Sequence, residues 1–455
     1  MINWQANVYP KQFSGVKCRK RQKINPPLVL TIGFIVLIML GTSLLMLPMA
    51  STQPISLLDA LFTATSAVTV TGLVVIDTGT DLTVFGQSVV MLLIQIGGIG
   101  FMTVAVISIL SLGKTLGLQQ RLLASRAFDT NDLTSVIKVA KYVLVYSLVI
   151  ESVAFCLLFI SWFNDYGTLK SAYHSLFYTI SAFNNAGFAL SGDSLSAFKG
   201  DITVNVVITA LFIIGGLGFT VLIDIYKQKR WSLLSTNTRL VLIATLVLNC
   251  IAFILIFFFE HANPATLAPL STSEQILTAW FQAVTPRTAG FNTLPIDGLS
   301  QDSTLLTMLL MVIGGGSVST ASGIKLGTFV ILILAMRSYL KQQTTVTVFN
   351  RQLSDKLVIK ALSVMILYLF IAFTSIMIIT KLEQGSLLDI TFEAISALST
   401  VGLSRGITGD LSAPSQLIII LLMLIGRVGP LTFAYCFARQ HSQPLTYPTT
   451  SIQIG

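Results

Sequence analysis

The sequence predicts an all-α polytopic membrane protein of four parallel span–loop–span repeats with pseudo-fourfold symmetry. Three observations lead there: the composition, eight long apolar runs interleaved with four short ones, and a sequence pattern that recurs four times. Of 455 residues, 53% are hydrophobic and 10% are charged. Soluble domains carry roughly 25% charged residues, and runs of about 20 apolar residues suffice to cross a bilayer. This excludes a soluble enzyme, a secreted disulfide scaffold and a nucleic-acid binder. The four cysteines (Cys18, Cys156, Cys250, Cys436) form no evident exported pair and read as inert thiols. A polar, basic stretch precedes the first apolar run, so no cleavable signal peptide is expected.

The eight spans are read at about 28–49, 83–112, 142–163, 203–225, 240–259, 304–336, 359–380 and 415–438. Between them lie half-apolar segments near 56–70, 170–185, 273–287 and 387–400, containing Asp59, Glu274, Asp389 or Glu393. They are too short to cross and too apolar for ordinary loops, so each is read as re-entrant. Most of the 28 Lys and Arg fall in the N-terminal tail, the connections 113–141, 226–239 and 337–360, and at Arg439. Acids such as Asp77, Asp193, Asp297 and Asp410 collect on the other side. Basic residues favour the cytoplasm, which places both termini there and opens all four short segments outward. The net charge of +9 is then a signature of topology, needing no anionic partner.

The resulting division is a cytoplasmic tail 1–27, repeats at 28–112, 113–225, 226–338 and 339–438, and a cytoplasmic tail 439–455. The repeats align on Gly72, Gly187, Gly290 and Gly402, spaced 115, 103 and 112 residues apart. Ten residues upstream stand Phe62, Phe177, Trp280 and Phe392; six upstream, Ser66, Ser181, Val284 and Ser396; five upstream, Ala67, Ala182, Thr285 and Ala397. The anchors end the strings Thr69, Val70, Thr71, Gly72; Asn184, Asn185, Ala186, Gly187; Arg287, Thr288, Ala289, Gly290; and Ser399, Thr400, Val401, Gly402. A second echo begins at Gly97, Gly215, Gly314 and Gly426, which follow the anchors by 25, 28, 24 and 24 residues. Generic small-residue helix packing explains glycines in spans but not a fixed distance from a re-entrant glycine.

Each unit has an even number of spans, so all four share one orientation and enclose a central path. Alternating-access transporters often use inverted repeats, which this chain does not show. A central ion pore is therefore expected. Glycine lets the backbone turn its carbonyls inward to replace an ion's water, and a short helix would aim its negative C-terminal end at the bilayer centre. Both favour a cation. Few carboxylates stand at the strings, which suits K⁺ or a similar monovalent ion held by the filter carbonyls.

The four single-glycine strings, the Gly-rich stretch of the sixth span and the Arg of the eighth resemble the Ktr/Trk/HKT superfamily of K⁺ transporters. The likeness extends over about residues 28–438 and is strongest to Ktr-type bacterial membrane subunits. The resemblance implies a K⁺-channel-like pore for K⁺ uptake in the bacterial inner membrane, a homodimer in membrane lipid, and Na⁺ as an activator. It also implies a cytosolic nucleotide-binding regulatory ring of the KtrA type; the chain has no GxxxxGK(S/T) phosphate loop, so no nucleotide is expected on this chain itself. Two glycines per loop would make a stricter filter than the single anchor found here, and Asn184, Asn185 and Arg287 break the fourfold pattern. Arg287 either faces the ion path or ties down a neighbouring loop, and the cost of opposing incoming cations favours the tie.

Three charges interrupt the spans: Glu151, Lys325 and Arg427. Arg427 aligns with Gly98, Gly216 and Gly315, and so in depth with the stretch 314–325. That stretch is a poor helix interior, containing Gly314, Gly315, Gly316, Ser317, Ser319, Thr320, Ser322 and Gly323 before Lys325. The expectation is an intramembrane gate loop at 314–325 whose carbonyls bond Arg427, an assignment that the resemblance supports. The alternative is a tight small-residue crossing with Arg427 paired elsewhere. Lys325 is either a second partner or a snorkelling side chain, and Glu151 reads as structural. His174, His261 and His441 lack metal-ligand spacing, and no phosphate-binding loop is present, so an enzyme is not expected. The connections 113–141 and 337–360 are candidate docking faces for the ring. The rival readings are an alternating-access Na⁺/K⁺ symporter and, further off, a polytopic membrane enzyme.

Overall fold

Long apolar runs with no water to bond their backbone must form helices, and helices dominate this molecule. The computed structural model describes residues 26–100, 103, 106 and 136–437. Most of the N-terminal tail, most of the connection 113–141 and the C-terminal tail, with Cys18, Arg439 and His441, lie outside the described residues.

The first repeat holds α1 (Pro26–Leu45), α2 (Leu57–Thr69) and α3 (Val84–Ile99). The second holds α4 (Val136–Tyr166), α5 (Thr168–Phe183), α6 (Ile202–Leu217) and α7 (Phe219–Gln228). The third holds α8 (Thr236–Glu260), α9 (Thr272–Val284), α10 (Gln301–Val312) and α11 (Leu326–Leu340). A small antiparallel hairpin, β1 (Thr347–Val348) with β2 (Arg351–Gln352), leads into the fourth repeat. That repeat holds α12 (Asp355–Leu382), α13 (Leu387–Ser399), α14 (Ala413–Val428) and α15 (Pro430–Phe437).

The first span of every repeat (α1, α4, α8, α12) is one helix long enough to cross a bilayer. The second spans differ from the continuous segments expected. α6 and α7 meet at 93°, and α14 and α15 at 99°. Each bend falls on a glycine with left-handed φ, Gly218 at 102° and Gly429 at 92°. Gly100, which ends α3, has φ 93°. A residue bearing Cβ rarely adopts that backbone, so the glycines fix the bend positions.

Serines cap three of the four short helices. Ser56, Ser271 and Ser386 accept from the backbone N–H of Asp59, Glu274 and Asp389, and Ser271 with Glu274 completes a capping box. Such a cap is worth about 1 kcal/mol, which accounts for those acids at the start of apolar segments. The short helices are largely buried: α2, α5 and α13 each pack between the two spans of their own repeat, and α9 packs on α8. Each also packs on the second span of the preceding repeat: α5 on α3, α9 on α6, α13 on α10, and α2 on α14. The last pairing closes a ring, so the pseudo-fourfold arrangement is cyclic.

Candidate ion path

The four strings leave the C-terminal ends of α2, α5, α9 and α13 with one shared backbone shape. Gly72, Gly187, Gly290 and Gly402 have φ of 90°, 69°, 78° and 90°. Two residues earlier, Val70, Asn185, Thr288 and Thr400 are also left-handed, at 58°, 60°, 74° and 50°. For Val and Thr this is strained, of order 1–3 kcal/mol each, and such strain persists only where the surroundings enforce it. Here the short helices enforce it. Thr71, Ala186 and Val401 each donate a backbone bond of 2.8 Å to Ser66, Ser181 and Ser396. The serine hydroxyls add to this: Gly72 N–H donates to Ser66 Oγ at 3.0 Å and Gly402 N–H to Ser396 Oγ at 3.2 Å. Ser181 Oγ donates to Phe188 O at 2.7 Å.

The third string departs from the expected alignment by one residue. Phe281 is fully buried where Trp280 was aligned with the other aromatics, and Trp280 is only half-buried. Thr285, not Val284, supplies the hydroxyl, donating to Phe291 O, while Ala289 N–H bonds Thr285 O at 2.9 Å. The helix-to-glycine connection is thus one residue shorter there, and an adjacent Trp-Phe pair hid the slip.

The glycines form a closed ring. A methyl group on Gly187 would lie 2.9 Å from Gly290 Cα, and one on Gly402 would lie 3.0 Å from Gly72 Cα. One on Gly72 would run into Ala186 O, and one on Gly290 into Val401 O. All four line one open cavity of about 730 Å³, together with Asp77, Asp193, Asp297 and Arg405. The Arg405 charge is held by Asp389 at 2.6 Å and by Ile296 O at 3.1 Å. That clamp joins the third and fourth repeats and was not evident from the sequence, because Ile296 lies 109 residues before Arg405.

The glycines of the second echo explain their fixed spacing. A methyl on Gly97, Gly215 or Gly426 would strike the carbonyl of Val68, Phe183 or Leu398, each the fourth residue before its anchor. The span and the end of the short helix touch backbone to backbone at that point. In the third repeat Gly314 instead faces Ser322 O, because the chain has left the helix.

Residues 313–325 form a loop clasped at its base: Gly314 N–H to Ile324 O at 3.0 Å, Ile324 N–H to Val312 O at 3.1 Å, Leu326 N–H to Gly315 O at 2.9 Å. Several of its other backbone groups bond other repeats. Gly316 N–H donates to Gly216 O at 2.8 Å, and Phe219 N–H donates to Val318 O at 2.9 Å. Arg427 donates to Thr320 O and Gly97 O, and to Gly98 O at 3.2 Å. Lys325 Nζ folds back onto Ala321 O at 2.6 Å. Ser319 Oγ donates to Gly316 O at 2.7 Å, within the loop. The loop meets the strings from the short-helix side, away from the cavity.

The other expected charges are tied between elements. Arg287 is buried, donating to Asn249 Oδ1 at 2.8 Å and to Gly314 O at 3.4 Å. This is the tie and not a group facing the cavity. Glu151 accepts from Gln95 Nε2 with each carboxylate oxygen at 3.0 Å, joining the second repeat to the first. Asn184 Nδ2 donates to Gln95 Oε1 at 2.6 Å, extending that link to the second string. Among the described residues no cluster of His, Cys, Asp or Glu could hold a metal ion.

A family model described as a cation transport protein, TrkH, matches residues 6–446. The Ktr system potassium uptake protein B of Bacillus subtilis is 47% identical, over 96% of this chain and 99% of the relative. That of Vibrio alginolyticus is 38% identical, over 96% of each. The potassium/sodium uptake protein NtpJ of Enterococcus hirae is 36% identical, over 97% and 99%. The crystal structure of the potassium transporter TrkH from Vibrio parahaemolyticus superposes with a TM-score of 0.73 at 20% identity, covering 92% of this chain and 86% of that one. Its likeness concerns the fold. The broken second spans, the glycine ring and the matched sequences agree: the chain belongs to the TrkH family of cation transport proteins.

Proposed function

We propose that the chain is the ion-translocating subunit of a Ktr-type K⁺ uptake system. The observation that carries this is the ring of four left-handed glycines opening on one acid-lined cavity, with loop 314–325 bonded beneath it. In this reading residues 69–72, 184–187, 288–290 and 399–402 are the selectivity filter, and their carbonyls replace water around K⁺. The C-terminal ends of α2, α5, α9 and α13 add partial negative charge, and Asp77, Asp193 and Asp297 raise the local cation concentration. The glycine-rich loop, with Lys325 and Arg427, is the gate. In this reading an ion leaving the strings would have to pass it.

Relatives named for potassium and for potassium/sodium uptake support K⁺ as cargo and a link to Na⁺, which in this reading acts as activator. The name "Ktr system" supports a separate cytosolic nucleotide-binding ring, which would dock on the basic connections between repeats. A homodimer in the bacterial inner membrane, with both termini cytoplasmic and the cavity outside, completes the proposal.

The test is Rb⁺ or K⁺ flux into liposomes holding the purified chain, with and without Na⁺. K⁺ flux that discriminates against Na⁺ is expected. Gly290→Ser puts a side chain against Val401 O and Gly187 Cα in a backbone that disfavours Cβ. It should lower K⁺-over-Na⁺ preference at least about tenfold, the equivalent of about 1.4 kcal/mol. Absence of wild-type flux, or intact preference in the variant, overturns the filter assignment.

A further inference from the structure

Thr320 stands where the loop meets the strings and Arg427 together. Its hydroxyl donates to Asn185 Oδ1 at 2.9 Å, its N–H to Gly215 O at 3.3 Å, and its carbonyl accepts from Arg427 Nη1. Asn185 belongs to the second string, has left-handed φ, and extends its amide toward Thr288 Oγ1 of the third string at 3.5 Å. Both side chains are 1% exposed, so neither exchanges its partner for bulk water. Gly215 leaves the room for the pair: a methyl there would come within 2.9 Å of both Asn185 Oδ1 and Thr320 Oγ1. One side-chain bond thus crosses from the crest of the loop to a residue two positions before an anchor glycine. The equivalent positions of the other strings hold Val70, Thr288 and Thr400, none of which bonds the loop directly through its side chain in the structure described.

We propose that the Thr320–Asn185 hydrogen bond is a latch that couples the position of the loop to the conformation of the second string. Thr320 is therefore a positioning residue for K⁺ affinity. The inference rests on the transport reading above. Withdrawing the loop takes the donor from Asn185 Oδ1 in a buried place, where an unpaired polar group is costly, so Asn185 must turn to a new partner. A turn of Asn185 moves the string backbone to which it belongs and releases its hold on Thr288. Loop and filter then change state together through this bond, which reaches the second string two positions before its anchor glycine.

Thr320→Val removes the hydroxyl, keeps the shape, and leaves the backbone bonds to Gly215 and Arg427 in place. In proteoliposomes it is expected to raise the K⁺ concentration for half-maximal flux about fivefold, the scale of one net hydrogen bond. Maximal flux should rise as well, because the loop is less firmly held. Thr320→Ser keeps the donor and is expected to stay within about twofold of wild type. In an Asn185→Ala background the Thr320→Val shift should vanish, since the bond is already gone. Should Thr320→Val not be recovered folded, Asn185→Ala alone is expected to give the same shift. A fall in maximal flux with unchanged half-saturation, or an equal shift with and without Asn185, overturns the latch. Loss of K⁺ flux in the wild type would instead overturn the transport reading, so the two failures are distinguishable.

Discussion

The third and fourth repeats are built alike at one end and differ at the other. At the end nearer the cavity each long helix finishes on a glutamate that holds the next span. Ser300 N–H and Oγ donate to Glu260 Oε1 at 2.9 and 2.7 Å, and Ser412 N–H and Oγ donate to Glu383 Oε1 at 2.9 and 2.6 Å. At the other end the two part. α14 runs on to Val428 and bends once at Gly429, whereas α10 stops at Val312 and thirteen residues pass before α11. A glycine in a helix interior costs about 1 kcal/mol relative to alanine, and the third repeat has three in succession where the fourth has Gly-Arg-Val. Unwinding also exposes backbone groups, and those groups find partners on the second and fourth repeats. A few residues therefore convert one copy of a symmetric element into an irregular loop held by its neighbours.

The largest expected effect comes from Arg427, the fourth repeat's hold on that loop. Arg427→Gln removes the charged donor from the carbonyls of Thr320, Gly97 and Gly98. It should cost roughly 3 kcal/mol of stability and raise K⁺ flux. Thermal melting in detergent and flux in liposomes measure the two, and unchanged values would mean that the loop holds itself.

Next in size, Gly426→Ala should cost about 1–3 kcal/mol because the methyl strikes Leu398 O, while Gly216→Ala should be nearly neutral. A methyl on Gly216 meets nothing nearer than 3.7 Å, and the residue lies within α6. Equal melting temperatures for both variants would undo the distinction between close-approach and incidental glycines.

The smallest effect is at the shared end. The bonds from Ser412 hold the Glu383 carboxyl below its ordinary pKa. A carboxylate with a lowered folded-state pKa contributes stability above the unfolded value of about 4.3, and loses it as pH falls through the folded value. Glu383→Gln should therefore flatten part of the loss of melting temperature below about pH 4, and an unaltered acid limb would remove this tie.

The glycine strings were legible because a left-handed backbone and a close approach both select glycine, four times over. The bends at Gly218 and Gly429 were not. Apolar content records that a segment lies in lipid, and it is the same for a straight helix and a broken one. The strain at Val70, Thr288 and Thr400 was hidden as well, since β-branched residues advertise the opposite backbone. Gln95, Asn249 and Arg405 became visible only in space, where each finds a partner on another element.

The cyclic packing of short helices has a bearing on how the chain is made. α2 is among the first elements to leave the ribosome, yet one of its flanks rests on α14, more than 340 residues later. Until translation delivers that helix, the earliest hairpin waits with polar backbone at membrane depth and an uncovered side. Shortened products ending before residue 413 should therefore be prime substrates for membrane quality control, however well their first three quarters have assembled.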